Sequence, residues 1–192
     1  MQNKEFEAPR VSKVELEHLL FLEGNAGAIP WKPFVEGRDM LAGETFIMTG
    51  PESGNERGAD IYLDGLKGQA HADMIDFFAE IRNSVKELVQ HTLALRSGEL
   101  PSGSLSRFDQ LRRLSVACAA PTWQVTKALP PAAPNSPSDG ETHAITIGAQ
   151  KIVVDSPDGP VDAGLLGFIV VARNAIPALL NEVRNFRAPT PT

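Results

Sequence analysis

The chain has 192 residues, of which 42% are hydrophobic and 22% charged, with a formal net charge of −6. That balance supports a packed core and excludes a globally disordered, coiled-coil or collagenous chain. The acid excess weighs against a phosphate-binding face, because neutralising phosphates takes clustered Lys and Arg, and Arg112–Arg113 is the only adjacent basic pair.

No apolar stretch is expected to reach the roughly 20 residues that cross a bilayer. The opening MQNKEFEAPR lacks the basic-then-apolar order of a secretory signal, so a cytoplasmic location is expected. The single cysteine, Cys118, sits in the apolar run Val116–Ala120 and reads as a small buried hydrophobe.

After an arm of residues 1–10, Ser12 followed by Glu15 is a capping box opening a helix that Gly24 stops. Three strands are expected next, at about Pro33–Gly37, Glu44–Thr49 and Asp60–Asp64, the last two joined through the Gly- and Pro-containing segment 50–58. A helix follows from about Ala72, with residues 74, 75, 77, 78, 81, 85, 88 and 89 on one apolar face. Residues 97–103 have linker composition. Beyond them Phe108, Leu111 and Leu114 stripe a second first helix, and strands are expected near Trp123–Ala128, His143–Ile147 and Lys151–Asp155. The proline-rich stretch 130–137 reads as a loop insertion, and a last helix carries Pro177.

The second half repeats the first. Residues 61–89 fall on 152–180 without a gap, with eight identities in 29 positions, among them Asp64/Asp155, Phe77/Phe168, Arg82/Arg173 and Asn83/Asn174. Further upstream Trp31 falls on Trp123, the only two tryptophans, and Leu16, Leu19 and Leu22 fall on Phe108, Leu111 and Leu114. The expected fold class is therefore α+β: two tandem αβββα modules, 11–96 and 104–187, related by pseudo-twofold symmetry, with small antiparallel sheets packed on helices and a tail at 188–192. The sheets either join edge to edge or bring their helices together. Pro177 would cost about 3 kcal/mol inside an uninterrupted helix. The long helix of each module is therefore expected to break or bend near Asn83 and Asn174, with Asn174 capping a fresh helix.

Motifs for nucleotide-binding turns, P-loops and hydrolase elbows are missing, and the four histidines are too dispersed to form a local zinc signature. No cofactor and no catalytic residue is assigned, and the protein is read as not an enzyme. The candidate ligand-binding residues are the duplicated polar and aromatic ones: Arg82, Asn83, Arg173, Asn174, Trp31 and Trp123. Two arginines near a dyad would cradle an anion by bidentate donation, and a tryptophan could stack on a base. The competing structural roles are an arginine lying over the core edge and a tryptophan plugging a helix–sheet seam. The element order matches that of the double-stranded RNA-binding module. The second-helix start, Gln69-Ala70-His71-Ala72-Asp73 or Pro160-Val161-Asp162-Ala163, is acidic where that module is basic.

Ala28-Ile29-Pro30-Trp31, Asp162-Ala163 with Phe168-Ile169, and Ala172-Arg173-Asn174-Ala175-Ile176-Pro177-Ala178-Leu179-Leu180-Asn181-Glu182-Val183 together resemble the tailed-phage and prophage accessory proteins of the lambdoid Ead early-region type. Those usually carry one copy where this chain carries two. The resemblance implies a phage-encoded binding or inhibitory protein that counteracts a host process, above all an antiviral defence system, in the cytoplasm of the bacterial host. Its expected partner is a host defence protein, occluded, or a small nucleotide signal, sequestered; no membrane partner is expected, and the chain is open to homodimer formation. The alternatives are an enzyme degrading such a signal and a nucleic-acid-binding regulator.

Overall fold

The computed structural model describes residues 10–51, 58–99, 101, 105–119, 123–127, 143–157 and 161–186. The proline-rich stretch 130–137, most of the N-terminal arm and the 188–192 tail lie outside them.

Helix α1 (Lys13–Gly24) starts where its capping box predicts. The Glu15 amide donates to Ser12 Oγ (3.2 Å) and the Ser12 amide to Glu15 Oε2 (2.7 Å). Strands β1 (Trp31–Phe34), β2 (Phe46–Thr49) and β3 (Asp60–Asp64) follow, then helix α2 (Gly68–Arg96). A 3₁₀ turn (Leu105–Phe108) leads into α3 (Asp109–Ala117), and β4 (Trp123–Lys127), β5 (His143–Ile147), β6 (Gln150–Asp155) and α4 (Ala163–Asn185) complete the order. The chain is a mixed α+β protein with four α-helices and one six-stranded antiparallel sheet among the described residues.

The strand order is β1-β2-β3-β6-β5-β4, so the two three-stranded units join edge to edge. At the join Leu63 faces Val154, Tyr62 faces Asp155 and Asp64 faces Val153. Leu63 and Val154 are counterparts in the repeat, so each unit offers the same edge to the other. Alternation along the strands sends Ile61, Leu63, Ile152 and Val154 to the buried face.

The helices join as well. α2 and α4 pack on each other, α2 also against β1 and β2, and α4 also against β4 and β5. Each short helix crosses to the other unit: α1 lies more on α4 than on α2, and α3 more on α2 than on α4. The result is one core cluster drawn from both halves. At the far end of α2 and α4, Arg96 closes the arrangement with a bidentate pair to Glu182 (2.7 Å for each bond) and donates to the Val11 carbonyl (2.8 Å).

The expected helix breaks are not there. α2 runs unbroken through Asn83, and α4 runs unbroken through Asn174 with Pro177 inside it. Burial outweighs the proline. Ile176, Leu179, Leu180 and Val183 are all buried, and each such side chain stabilises by about 1.5–3 kcal/mol against the single loss of about 3 kcal/mol at Pro177. Ser84 and Glu87 form no capping box: the Ser84 hydroxyl donates to Glu80, and Glu87 pairs with Arg107.

α4 also corrects the expectation about apolar stretches, since by length and composition it could cross a membrane. In this fold its apolar positions Leu166, Phe168, Ile169, Ala172 and Ile176 are core residues.

His91 on α2 is buried, with Nδ1 3.1 Å from an Arg107 nitrogen. Burial first, then the Arg107 charge, holds its pKa below the ordinary 6.5. Below that value the unfolded chain takes up a proton that folded His91 resists, so stability is present above about pH 6.5 and is lost as pH falls. Urea midpoints at pH 7 and pH 5.5 should differ in that direction, and His91→Gln should shrink the difference. An unchanged difference in the variant would remove His91 from the account.

Candidate functional site

α1 ends beside an anomaly: Glu23, an anion in the last turn of a helix, where the macrodipole disfavours it. It is nevertheless 5% exposed, because Arg82 of α2, also 5% exposed, donates from Nη1 to Glu23 Oε1 at 2.6 Å. The same guanidinium reaches the loop that follows. Its Nε donates to the Ala26 carbonyl (3.4 Å) and its Nη2 to the Gly27 carbonyl. Lys86 Nζ lies 3.7 Å from the other Glu23 oxygen.

One residue on, Asn83 holds the start of β1. The Trp31 amide donates to Asn83 Oδ1 (2.8 Å), and Asn83 Nδ2 donates to the Trp31 carbonyl (2.7 Å). β1 is an edge of the sheet, and Asn83 supplies there the donor and acceptor that a further strand would supply.

This scaffold builds one wall of a cleft of about 360 Å³. Ala26, Gly27, Ala28 and Trp31 form that wall. Thr49, Gly58, Ala59 and Ile61 form the second, and Ser156, Val161, Asp162 and Leu165 the third. The second wall is tightly knit: Thr49 Oγ1 donates to the Ala59 carbonyl (2.7 Å), and the Gly58 amide donates to the Thr49 carbonyl (2.9 Å). A Cβ at Gly58 would press on Thr49 Oγ1, so any larger residue there would force the Thr49 side chain to move. In the third wall Asp162 caps α4, accepting from the Gly164 amide at 2.9 Å. Trp31 is 3% exposed, and its indole Nε1–H is buried with no acceptor among the described residues.

The second copy places its candidates differently. Trp123, 1% exposed, packs its ring against Phe77 and Phe78 of the first copy, with centroids 6.0 Å away in each case. The Arg173 guanidinium lies over that ring at 5.2 Å and donates to Asn174 Oδ1 at 3.2 Å. Ser115 stands where the first copy has Glu23, so the Glu23–Arg82 pair is not repeated by the residues at those two positions of the second copy. Across the ladder Trp31 faces Thr49, whereas Trp123 faces Ile147. The structure thus gathers Trp31, Arg82 and Asn83 around one cleft, and Trp123 with Arg173 around a core contact elsewhere.

A second cleft, of about 540 Å³, has Glu36, Glu44, Asp64 and Asp155 in its lining beside His71, whose pKa burial holds below the ordinary value. Phe34, Phe46 and Tyr62 stack in a row on the same side of the sheet as Asp64. The carboxylates repel phosphate, and no group of three or more His, Cys, Asp or Glu among the described residues could hold a metal ion. Cys118 is buried, with its thiol pushed up to about 12, chiefly by burial, which leaves it without thiolate character at neutral pH.

Sequence reasoning picked out Trp31, Arg82 and Asn83, and it missed Glu23, Thr49 and Ser156. Glu23 left a readable signal, an acid in a last helical turn, where an uncompensated charge calls for a cation from elsewhere. Thr49 and Ser156 left none.

No protein-family model matches the chain, and neither the curated proteins nor the solved structures hold a match to it.

Proposed function

We propose that the protein is a non-enzymatic, phage-encoded binding protein that counteracts a host process, an antiviral defence above all, by taking up a small molecule in the cleft beside Trp31. The observation that supports this reading is a mainly apolar cleft of about 360 Å³, within the size range of small-molecule pockets, with the Thr49 and Ser156 side chains among its lining. The chemistry of the lining favours binding over turnover: Thr49 and Ser156 bring hydroxyls, and no described lining residue is a histidine or lysine that could activate them. The setting in a bacterial host rests on the resemblance to the Ead-type proteins.

Occlusion of a host protein is the second reading. It is favoured by Val14 and Phe21, which lie seven residues apart on α1 and are 73% and 67% exposed. Native mass spectrometry of the full chain purified from bacterial cytosol separates the two. A small non-covalent mass increment that disappears in Trp31→Phe supports the cleft. A stoichiometric host protein on an otherwise bare chain supports occlusion and removes the first reading.

A further inference from the structure

We infer that the outer face of the sheet in the first half docks a protein segment carrying arginine or lysine, laid across Phe34, Phe46 and Tyr62. The inference goes beyond the cleft reading and does not depend on it, since Trp31 and Ile61 of that cleft belong to the helix-covered face.

The helices pack on one face of the sheet, through Ile47, Ile61, Leu63 and their partners in the second half. Alternation sends the intervening residues to the other face, where an antiparallel sheet commonly turns polar side chains to water. The first half departs from that pattern. Phe34 faces Phe46 across the ladder with ring centroids 5.1 Å apart, and the Phe46 ring lies 5.7 Å from that of Tyr62. All three rings are half-buried and stand outside the core cluster. At the corresponding places, counted from the tryptophans and along the repeat, the second half has Thr126, Ala144 and Val153, which face one another in the same way. The fold itself therefore does not call for aromatic rings there.

The row runs into negative charge. Tyr62 faces Asp155 across the central join, and it lines the cleft of about 540 Å³ together with the exposed Glu36, Glu44, Asp64 and Asp155. The β1–β2 hairpin, which supplies two of these carboxylates, is held in shape. The Val35 amide donates to Asp39 Oδ2 (2.8 Å) and the Glu36 amide to Thr45 Oγ1 (3.1 Å). The hairpin's own cation, Arg38, is directed at Asp76 of α2 in a bidentate pair (2.7 and 2.9 Å). The sequence segments 128–142 and 158–160, next in the chain to β5 and to Pro157, contain Asp139, Glu141 and Asp158 and no lysine or arginine.

Aromatic faces ending in carboxylates suit a cation on an aliphatic stem, which lies over the rings and pairs at its head. One such contact is already present: Lys32 Nζ lies 5.0 Å from the centre of the Phe34 ring. A second copy is a poor occupant, because meeting this face with itself would set carboxylates against carboxylates in a chain of net charge −6.

Tyr62 is the only tyrosine, so ring-¹³C-tyrosine labelling of the full chain puts one reporter where the rings meet the carboxylates. The probes are the peptide Gly-Arg-Leu-Arg-Gly-Arg-Leu-Arg, the same peptide with glutamate for arginine, and Nα-acetyl-arginine amide. The arginine peptide is expected to shift the Tyr62 signals saturably, and the glutamate peptide to leave them in place. Raising salt from about 0.1 M to 1 M, which shortens the screening length from about 10 Å to 3 Å, should weaken the arginine peptide at least about tenfold. Phe34→Thr with Phe46→Ala and Tyr62→Val installs the second half's side chains and keeps every charge. It should weaken the labelled peptide, followed by fluorescence anisotropy, by about tenfold or more. If that variant fails to fold, Tyr62→Val alone should weaken it about threefold. Asp64→Asn with Asp155→Asn, in which residue 155 keeps an acceptor for the Ser156 amide, should do so about three- to tenfold. Unchanged affinity in the folded aromatic variant would reduce the binding to diffuse charge and overturn the inference. So would a Tyr62 signal that ignores the arginine peptide or answers the glutamate peptide equally. Acetyl-arginine amide binding as tightly as the peptide would replace the protein segment by a small cation, and Tyr62 shifts that follow protein concentration alone would replace it by a second copy.

Discussion

Arg82→Ala should lower the stability of the folded chain by about 3–5 kcal/mol, the usual result of removing one partner of a buried ion pair. The cause is less the lost attraction than the stranded Glu23, a carboxylate 5% exposed that, among the described residues, Lys86 alone would then approach, at 3.7 Å. The Ala26 and Gly27 carbonyls would lose their donors in the same step. For a chain of this size the melting temperature should fall by roughly 6–20 °C. Arg173→Ala removes a guanidinium that lies over the Trp123 ring and should cost about 1–2 kcal/mol. Urea titrations of the two variants check the contrast. A loss within 1 kcal/mol of wild type for Arg82→Ala would mean that the ion pair contributes nothing net. It would also return Arg82 to the role of an anion ligand that a duplicated arginine first suggests.

The second large effect is expected at Trp123→Ala, at about 3–5 kcal/mol. Trp123 opens a strand of the second copy but buries its ring against Phe77 and Phe78 on a helix of the first. Its removal should therefore weaken both halves together and leave one cooperative unfolding transition at a lower midpoint. Near-ultraviolet and far-ultraviolet signals that separate into two transitions, with one unmoved by the substitution, would contradict the interlocked core.

These two expectations mark where local pattern stopped being informative. The capping box at Ser12 and Glu15 and the strands at Asp60–Asp64 and His143–Ile147 are short-range features, and the structure places them where the pattern does. The helix breaks at Asn83 and Asn174 fail for a long-range reason. A proline or asparagine shifts local propensity by a few kcal/mol at most, while helices with fourteen (α2) and nine (α4) buried residues are held by what they pack against. Asn83 has the residue type of a cap, and the fold uses its amide to complete an edge strand 52 residues earlier in the chain.

The duplicated arginines teach the same lesson. Their identity across the repeat suggests matching roles, yet one is locked in an ion pair with Glu23, where the second copy has Ser115, and the other lies over an aromatic ring. The cleft was half legible. Trp31, Arg82 and Asn83 stand out as duplicated residues, whereas Thr49, Ser156 and Asp162 join them from segments more than a hundred residues apart.

By itself the sequence determined what depends on neighbours along the chain: the mixed α+β class, the order of helices and strands, the helix start at Ser12 and the 91-residue correspondence between the halves. Tertiary structure alone decided the rest: that the sheets meet at Leu63 and Val154, that each short helix crosses to the other half, and that Glu23 is buried against Arg82 beside the cleft that Trp31 lines. The physical reason is the range of the interactions. Capping and periodicity act within a turn or a strand, whereas pairing a sheet edge, neutralising a buried charge and shaping a cavity depend on which distant surfaces meet when the whole core closes.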